Sequence, residues 1–274
     1  MTATTIPAPP ALIQRASGPL AGLRPLFRKD IADWRSGKGP VIVFVITALF
    51  MALTAANSYI SAYLIRTLPA EQTGGGANAR LSVVPLDNIM SAVGSQIFIF
   101  VTIFAAMGLL AAERERGTLS WVASKPVSRA SILASKFASG TAVLWICAAI
   151  LPVIVTTAVV VVLYGPPSLG AVALITLGMG AAIALYVAVA LTASTFVASQ
   201  PGVAGITFAV LIAPVLLMAI LPAAAGPFLP TSILSWFSGL ATGADVGFVT
   251  PIVWAVTLIA LGAIAARRMA KLEL

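Results

Sequence analysis

The sequence predicts an all-α integral membrane protein, and three observations carry the prediction. Hydrophobic residues make up 60% of the 274, with a mean hydropathy of +1.06. That leaves too little polar surface to clothe a water-soluble globule, whose apolar share sits near half. Six apolar stretches, at 41–63, 89–112, 138–163, 169–197, 203–222 and 249–266, carry no Lys, Arg, Asp or Glu. Each is near the roughly 20 residues that cross a hydrocarbon core of about 30 Å, and none alternates as a barrel strand must. Finally, the 16 Lys and Arg and 8 Asp and Glu all lie between or beyond these stretches. A charge at mid-bilayer costs about 2.5 to 3.5 kcal/mol, so clean spans insert readily.

Taken in order, residues 1–19 are rich in Ala, Pro and Thr, carry no charge before Arg15, and lack the basic start and apolar core of a signal peptide; a disordered lead is expected. Residues 20–38 follow as an amphipathic helix, with Leu20, Leu23, Phe27, Ile31 and Trp34 at helical spacing opposite Arg24, Arg28, Lys29 and Arg35. It either lies along the inner headgroup layer with its stripe in the acyl boundary or is an ordinary solvated basic helix. Residues 39–274 form the six-span domain. Fourteen Lys and Arg precede span one, join spans two and three, or follow span six, whereas Arg66 and Arg80 fall on the other side. By the positive-inside rule both termini and the loop between spans two and three are cytoplasmic. Beyond the membrane lie 64–88, with Gly74, Gly75 and Gly76, and the apolar segment 223–248, expected to hold a short helix or re-entrant hairpin at the outer interface.

This placement explains the net charge of +8 and removes nucleic acid as a partner, since no basic residues gather on a water-exposed domain. With no His and a single Cys147, His-ligated metals, His-based nucleophilic triads, Cys-pair metal or redox sites and internal disulfides are excluded. Spans without ionisable residues hold no proton relay, so concentrative transport would need outside energy. The chain also lacks a phosphate-cradling G-x-x-x-x-G-K-[ST] loop: Gly37-Lys38 is followed by Gly39, and Ala32 stands where the first Gly belongs. No cofactor and no catalytic residue are expected in this chain.

The informative stretch is 113–136, Glu113-Arg-Glu-Arg-Gly-Thr-Leu-Ser-Trp-Val-Ala-Ser-Lys-Pro-Val-Ser-Arg129 and on to Lys136. Gly117 can end a helix in the left-handed conformation, Thr118 can cap the next, and Pro126 stops it, leaving two turns at most over 119–124. Ser128 caps the helix that returns into span three. The short helix displays Leu119, Trp121 and Val122 and has no room for a core, so these meet either headgroups or another protein.

Glu113, Gly117-Thr118-Leu119, Pro126-Val127-Ser128-Arg129 and Lys136, set directly after a second span, resemble the signature of type 2 ABC exporter permeases. The resemblance implies a permease subunit in the plasma (inner) membrane of a prokaryote, whose coupling helix docks in a separate ABC ATPase. ATP and Mg would be bound by that partner, in a complex of two permeases, as homodimer or pseudo-symmetric heterodimer, and two ATPases. It implies that Glu113 and Glu115 face the ATPase, that residues 118–123 dock, that Arg129 and Lys136 fix the return helix at the membrane surface, and that helix 20–38 is a connecting helix. An alternative of another class is a non-transporting scaffold that docks a cytoplasmic protein. For a translocation path the polar candidates are Asn57, Ser58, Ser91, Ser95, Gln96 and Thr102, with Ser91, Ser95 and Thr102 on one helical face; the same residues can equally be contacts between helices.

Overall fold

The computed structural model describes residue 18 and residues 20–67, 84–94, 96–124, 127–217, 220 and 223–272. The expected lead over 1–19, residue 18 apart, the glycine run, Arg80, Ser95 and Pro126 lie outside the described residues, as do the side chains of Ser58 and Gln96. The described chain is helical and contains no strand. In order it forms α1 (Leu23–Ser36), α2 (Gly39–Thr67), α3 (Pro85–Val93), α4 (Gln96–Glu115), α5 (Thr118–Ala123), α6 (Arg129–Leu144), α7 (Leu151–Tyr164), α8 (Leu169–Phe196), α9 (Gln200–Leu217), α10 (Ile233–Ala241) and α11 (Val249–Lys271).

Five stretches are long and apolar enough to cross a membrane: Gly39–Asn57, Pro85–Glu115, Arg129–Tyr164, Leu169–Phe196 and Val249–Lys271. The sixth expected span, 203–222, includes residues outside the described ones; its described part forms a shorter apolar helix, Gln200–Pro214, so five full-length spans stand among the described residues. Arg129–Tyr164 has 36 residues and extends for about 50 Å at 1.5 Å per residue, well beyond a 30 Å core. Its first turns, Lys136 included, therefore have room to project out of the hydrocarbon. At Trp145–Ile150 this long helix loosens into a π-helical turn just ahead of Pro152. Proline cannot donate the ladder bond expected of its position, and a wide turn is one way a helix absorbs that loss. Below the turn α6 packs on α1, α8 and α11; above it α7 packs on α2 and α3.

Helix α8 is the axis of the bundle, buried continuously from Ala182 to Thr195. Its small residues admit close neighbours. A Cβ at Gly178 would stand 2.6 Å from the Phe237 Cβ, and one at Gly180 would stand 2.7 Å from the Trp145 Nε1. Two indoles fix the neighbours: Trp145 Nε1 donates to the Thr176 carbonyl and Trp254 Nε1 to the Ala181 carbonyl, both at 3.0 Å. The contact at Phe237 sets α10, the short helix expected within 223–248, against α8 nine residues from Leu169, about 13 Å along its axis, with Ile233 buried.

Gly178→Ala is therefore expected to cost about 1–3 kcal/mol through overpacking. Gly205→Ala, where a Cβ meets nothing within 4 Å, should be neutral or better. Unfolding midpoints of the two purified proteins in detergent check the contrast, and equal midpoints would show that α10 yields freely.

Outward, α2 presents Val41, Ile42, Val45 and Leu49, and α11 presents Ile252, Val256 and Ile259. In water these would be a liability; in a bilayer they are the surface that lipid requires.

Candidate functional site: the coupling segment and its anchors

At one end of the bundle the chain turns from α4 through α5 into α6. Gly117 adopts φ 70°, ψ 5°, a left-handed geometry that side chains with a Cβ resist. That single residue lets α4 stop and α5 start without a loop. The expected capping role of Thr118 is not what its hydroxyl does: Thr118 is the first helical residue, and its Oγ1 donates back to the Glu113 carbonyl at 3.2 Å. Ser128 is the N-cap of α6 as expected, its hydroxyl accepting from the Ser131 amide at 3.0 Å.

Helix α5 has two unlike faces. Leu119 is 1% exposed and Val122 is buried with it in the core. Thr118, Ser120 and Ser124 are exposed, and Trp121 is 62% exposed. The docking residues expected at this helix thus divide, with Leu119 and Val122 holding α5 to its own chain while Trp121 forms the outer side.

The charged residues around α5 bond the ends of three other helices, α8, α9 and α11. Before α5, the Arg114 guanidinium donates to the carbonyls of Ser194 and, at 3.1 Å, Val197, where α8 ends. After α5, Arg129 Nη1 donates to the carbonyls of Met269, Ala270 and Leu272 at 2.8, 2.8 and 2.9 Å, where α11 ends. The last carbonyls of a helix have no partner within it and carry the negative end of its dipole, so a guanidinium is a fitting cap. Glu115 accepts from Gln200 Nε2 at 2.8 Å, at the start of α9. Arg268 lies 4.3 Å over the Phe196 ring and links α11 to α8.

The remaining anchor is ionic. Lys136 Nζ sits 2.9 Å from Asp30 Oδ1 and 2.8 Å from Glu113 Oε1. Lys29 Nζ approaches Glu113 Oε1 at 3.3 Å and Asp33 Oδ2 at 3.1 Å. The side chains of Lys136, Asp30 and Glu113 are 11%, 4% and 17% exposed, which makes this a largely desolvated cluster joining α1, α4 and α6. Burial pulls the Lys29 ammonium down, but its hydrogen bond to Asp33 and the charges of Glu113, Asp33 and Asp30 outweigh that and hold it above the ordinary lysine value of 10.5. A raised lysine contributes fully below that ordinary value and loses its contribution only as pH rises through the raised one. Lys29 therefore stays charged at neutrality and gives up its contribution only in alkaline solution.

Several expected placements are revised by this geometry. Glu113 turns inward onto two lysines of its own chain, whereas Glu115 stays at the surface. Lys136 is a buried ion-pair partner instead of a surface anchor, and Arg129 fixes the end of α11. Helix α1 lies against α6, with Leu26 and, of the expected stripe, Trp34 packed on the core, while Leu23, Phe27 and Ile31 are half-buried and Leu20 is exposed. Asp30, on the same face as Leu26 and Trp34 at four-residue spacing, went unremarked in the sequence; an acid inside an apolar stripe was the signal available. Gln200 had no local signal at all.

Of the polar path candidates among the described residues, Ser91 is exposed on α3 and donates to the Asn88 carbonyl at 3.4 Å. Thr102 is buried on α4 and donates to the Phe98 carbonyl at 2.8 Å. Asn57 is exposed on α2. Helix α3 ends at Val93 and α4 begins at Gln96.

Apolar helices gathered around a glycine-hinged helix, with that helix braced to the helix ends, define a multi-pass membrane protein of the permease class. The family model described as ABC-2 family transporter protein matches residues 24–263. The chain belongs to that family, whose permeases are membrane transport components that work with an ABC ATPase in general. No curated protein matches it.

Proposed function

We propose that the chain is the permease subunit of an ATP-driven exporter, multi-pass in the plasma membrane of a prokaryote with both termini cytoplasmic. Two copies, or two related chains, work with two ATPases that bind ATP and Mg. The observation that carries this reading is the exposed side of α5: an outward Trp121 on a two-turn helix whose flanking residues bond the middle of α1 and the ends of α8, α9 and α11. A helix bonded in this way cannot shift alone. When the ATPase halves close on ATP and displace α5, Arg114 and Arg129 carry the ends of α8 and α11 with it. The spans then re-pack across the interface between the two permeases and open a path outward. Hydrolysis belongs to the ATPase.

Purification of the full chain from its native membrane tests the reading. A stoichiometric ATPase is expected to accompany it. Trp121→Ala should weaken the assembly by about 2 kcal/mol, close to thirtyfold, as truncation of an interfacial aromatic does. Leu119→Ala should instead destabilise the permease itself by about 2–5 kcal/mol, as loss of a buried leucine does. A native chain that captures a protein without nucleotide hydrolysis would be a scaffold, and the reading would fail.

A further inference from the structure

Between α6 and α11 a groove of about 430 Å³ opens, with α8 as its floor; small-molecule sites run from about 300 to 1,000 Å³. Its walls are too small to close it. Ala130 and Ala134 stand on α6, Gly262 and Ala266 on α11, and a Cβ at Gly262 would meet nothing within 4 Å. Small residues on a membrane helix ordinarily let a neighbouring helix come close, as Gly178 and Gly180 do. Here none of the described helices takes up the space. No charged side chain lines the groove, and its single hydroxyl, on Thr192, is spent on the Ala188 carbonyl at 2.7 Å. Walls of this kind suit a hydrocarbon.

The position of the groove says which hydrocarbon. It follows α11 from Ala266, where the apolar stretch gives way to Arg267, to Leu258. Those eight residues cover about 12 Å, against about 15 Å for half of a 30 Å core. That is the depth of an acyl chain in one leaflet.

The mouth is charged. Arg129 immediately precedes the α6 wall, and its guanidinium crosses to the end of the α11 wall, where Nη1 alone serves the carbonyls of Met269, Ala270 and Leu272. A guanidinium has five N–H donors, and those on Nε and Nη2 make no hydrogen bond among the described residues. Phosphate oxygens match such a planar fork. Arg267 and Lys271 are exposed on the last turns of α11, so a headgroup with a net negative charge suits this mouth, whereas the ammonium of a zwitterionic one would face like charge.

We infer that the groove binds an anionic phospholipid of the leaflet on the α5 side, with an acyl chain laid between α6 and α11 and the phosphate held by Arg129. A ligand of the folded chain stabilises it by mass action, so this lipid strengthens the joint between α6 and α11 that Arg129 makes. The site requires neither the ATPase nor transport, and it stands or falls apart from the permease reading.

The full chain, purified in detergent and stripped of lipid, is titrated with dioleoylphosphatidylglycerol, with the phosphatidylcholine and the diacylglycerol of the same tails, and with glycerol phosphate. Bound lipid is counted by native mass spectrometry. A single phosphatidylglycerol is expected to bind about tenfold tighter than phosphatidylcholine, the size of a charge-assisted hydrogen bond, with diacylglycerol weaker still and glycerol phosphate unbound. Gly262→Leu, whose side chain enters the groove, should weaken phosphatidylglycerol about tenfold, and Gly205→Leu, on the open side of α9, should not. Arg129→Ala should cost a similar factor. If that variant does not survive purification, Ala130→Asp sets a carboxylate at the mouth with Arg129 intact, and should repel phosphatidylglycerol while leaving diacylglycerol unchanged. Equal affinity for phosphatidylglycerol and either of the other two lipids means ordinary boundary lipid and overturns the inference. Undiminished binding in Gly262→Leu or in the mouth variant overturns it too, as does binding of glycerol phosphate alone, which would mark a site for free anions.

Discussion

Lys136→Met is expected to cost about 3–5 kcal/mol, the usual penalty for removing one partner of a buried ion pair. The reason is the position of Nζ, 2.9 Å from Asp30 and 2.8 Å from Glu113. Methionine fills nearly the same volume, so packing is spared and the charge term stands alone. Without Lys136 two carboxylates face one another out of water, with Lys29 as the remaining cation in the cluster. Lys29 is 42% exposed, and exposed pairs contribute about 0–1 kcal/mol, so it offsets little. The same comparison predicts a small effect, within about 1 kcal/mol, for Lys29→Ala. Adding Asp30→Asn to Lys136→Met should recover much of the loss, because one of the two uncompensated charges disappears and Glu113 keeps Lys29. Unfolding midpoints of the four proteins in a fixed lipid–detergent mixture decide the matter. A Lys136→Met protein as stable as the native chain would mean that water reaches these carboxylates.

The sequence made the spans legible because a bilayer acts on composition alone: any run of about 20 uncharged apolar residues satisfies it, whatever its partners. The turn at Gly117 and the cap at Ser128 were legible too, since each depends on a residue's own backbone or side chain. What stayed hidden was partnership. Glu113, Arg114, Glu115 and Arg129 form a dense charged motif that invites an external partner, yet the contacts of Glu113, Arg114 and Arg129 lie with residues 23 to 143 positions away in the same chain. Most of the acceptors are main-chain carbonyls, which every residue possesses and no pattern can reveal. A six-residue helix is likewise too short to tell which side faces protein, so Leu119, Trp121 and Val122 could be grouped but not divided.

Arg129→Ala is expected to cost about 2–3 kcal/mol, at the upper range for hydrogen bonds from a charged donor. Three carbonyls at the end of α11 lose their donor at once. Methyl-bearing neighbours cannot replace it, and water reaches only part of the site because Met269 is buried. Arg129→Lys keeps the charge but has a shorter, strongly hydrated head without the planar fork. It should therefore retain a minor part of the stabilisation, and hydrogen exchange at the amides of the last α11 turn would measure how much. Arg114 treats the end of α8 in the same manner, so the pair poses a sharper question. If each arginine only caps its own helix, the losses in Arg114→Ala and Arg129→Ala should add, as they do for independent sites. If α8 and α11 move as one body with α5, joined further by Arg268 over Phe196, the first loss already loosens the unit and the second costs less. A coupling energy of about 0.5–3 kcal/mol is the signature of contacting or networked residues. Its presence in the double variant would identify one rigid plate at this end of the bundle, and strict additivity would leave two separate caps.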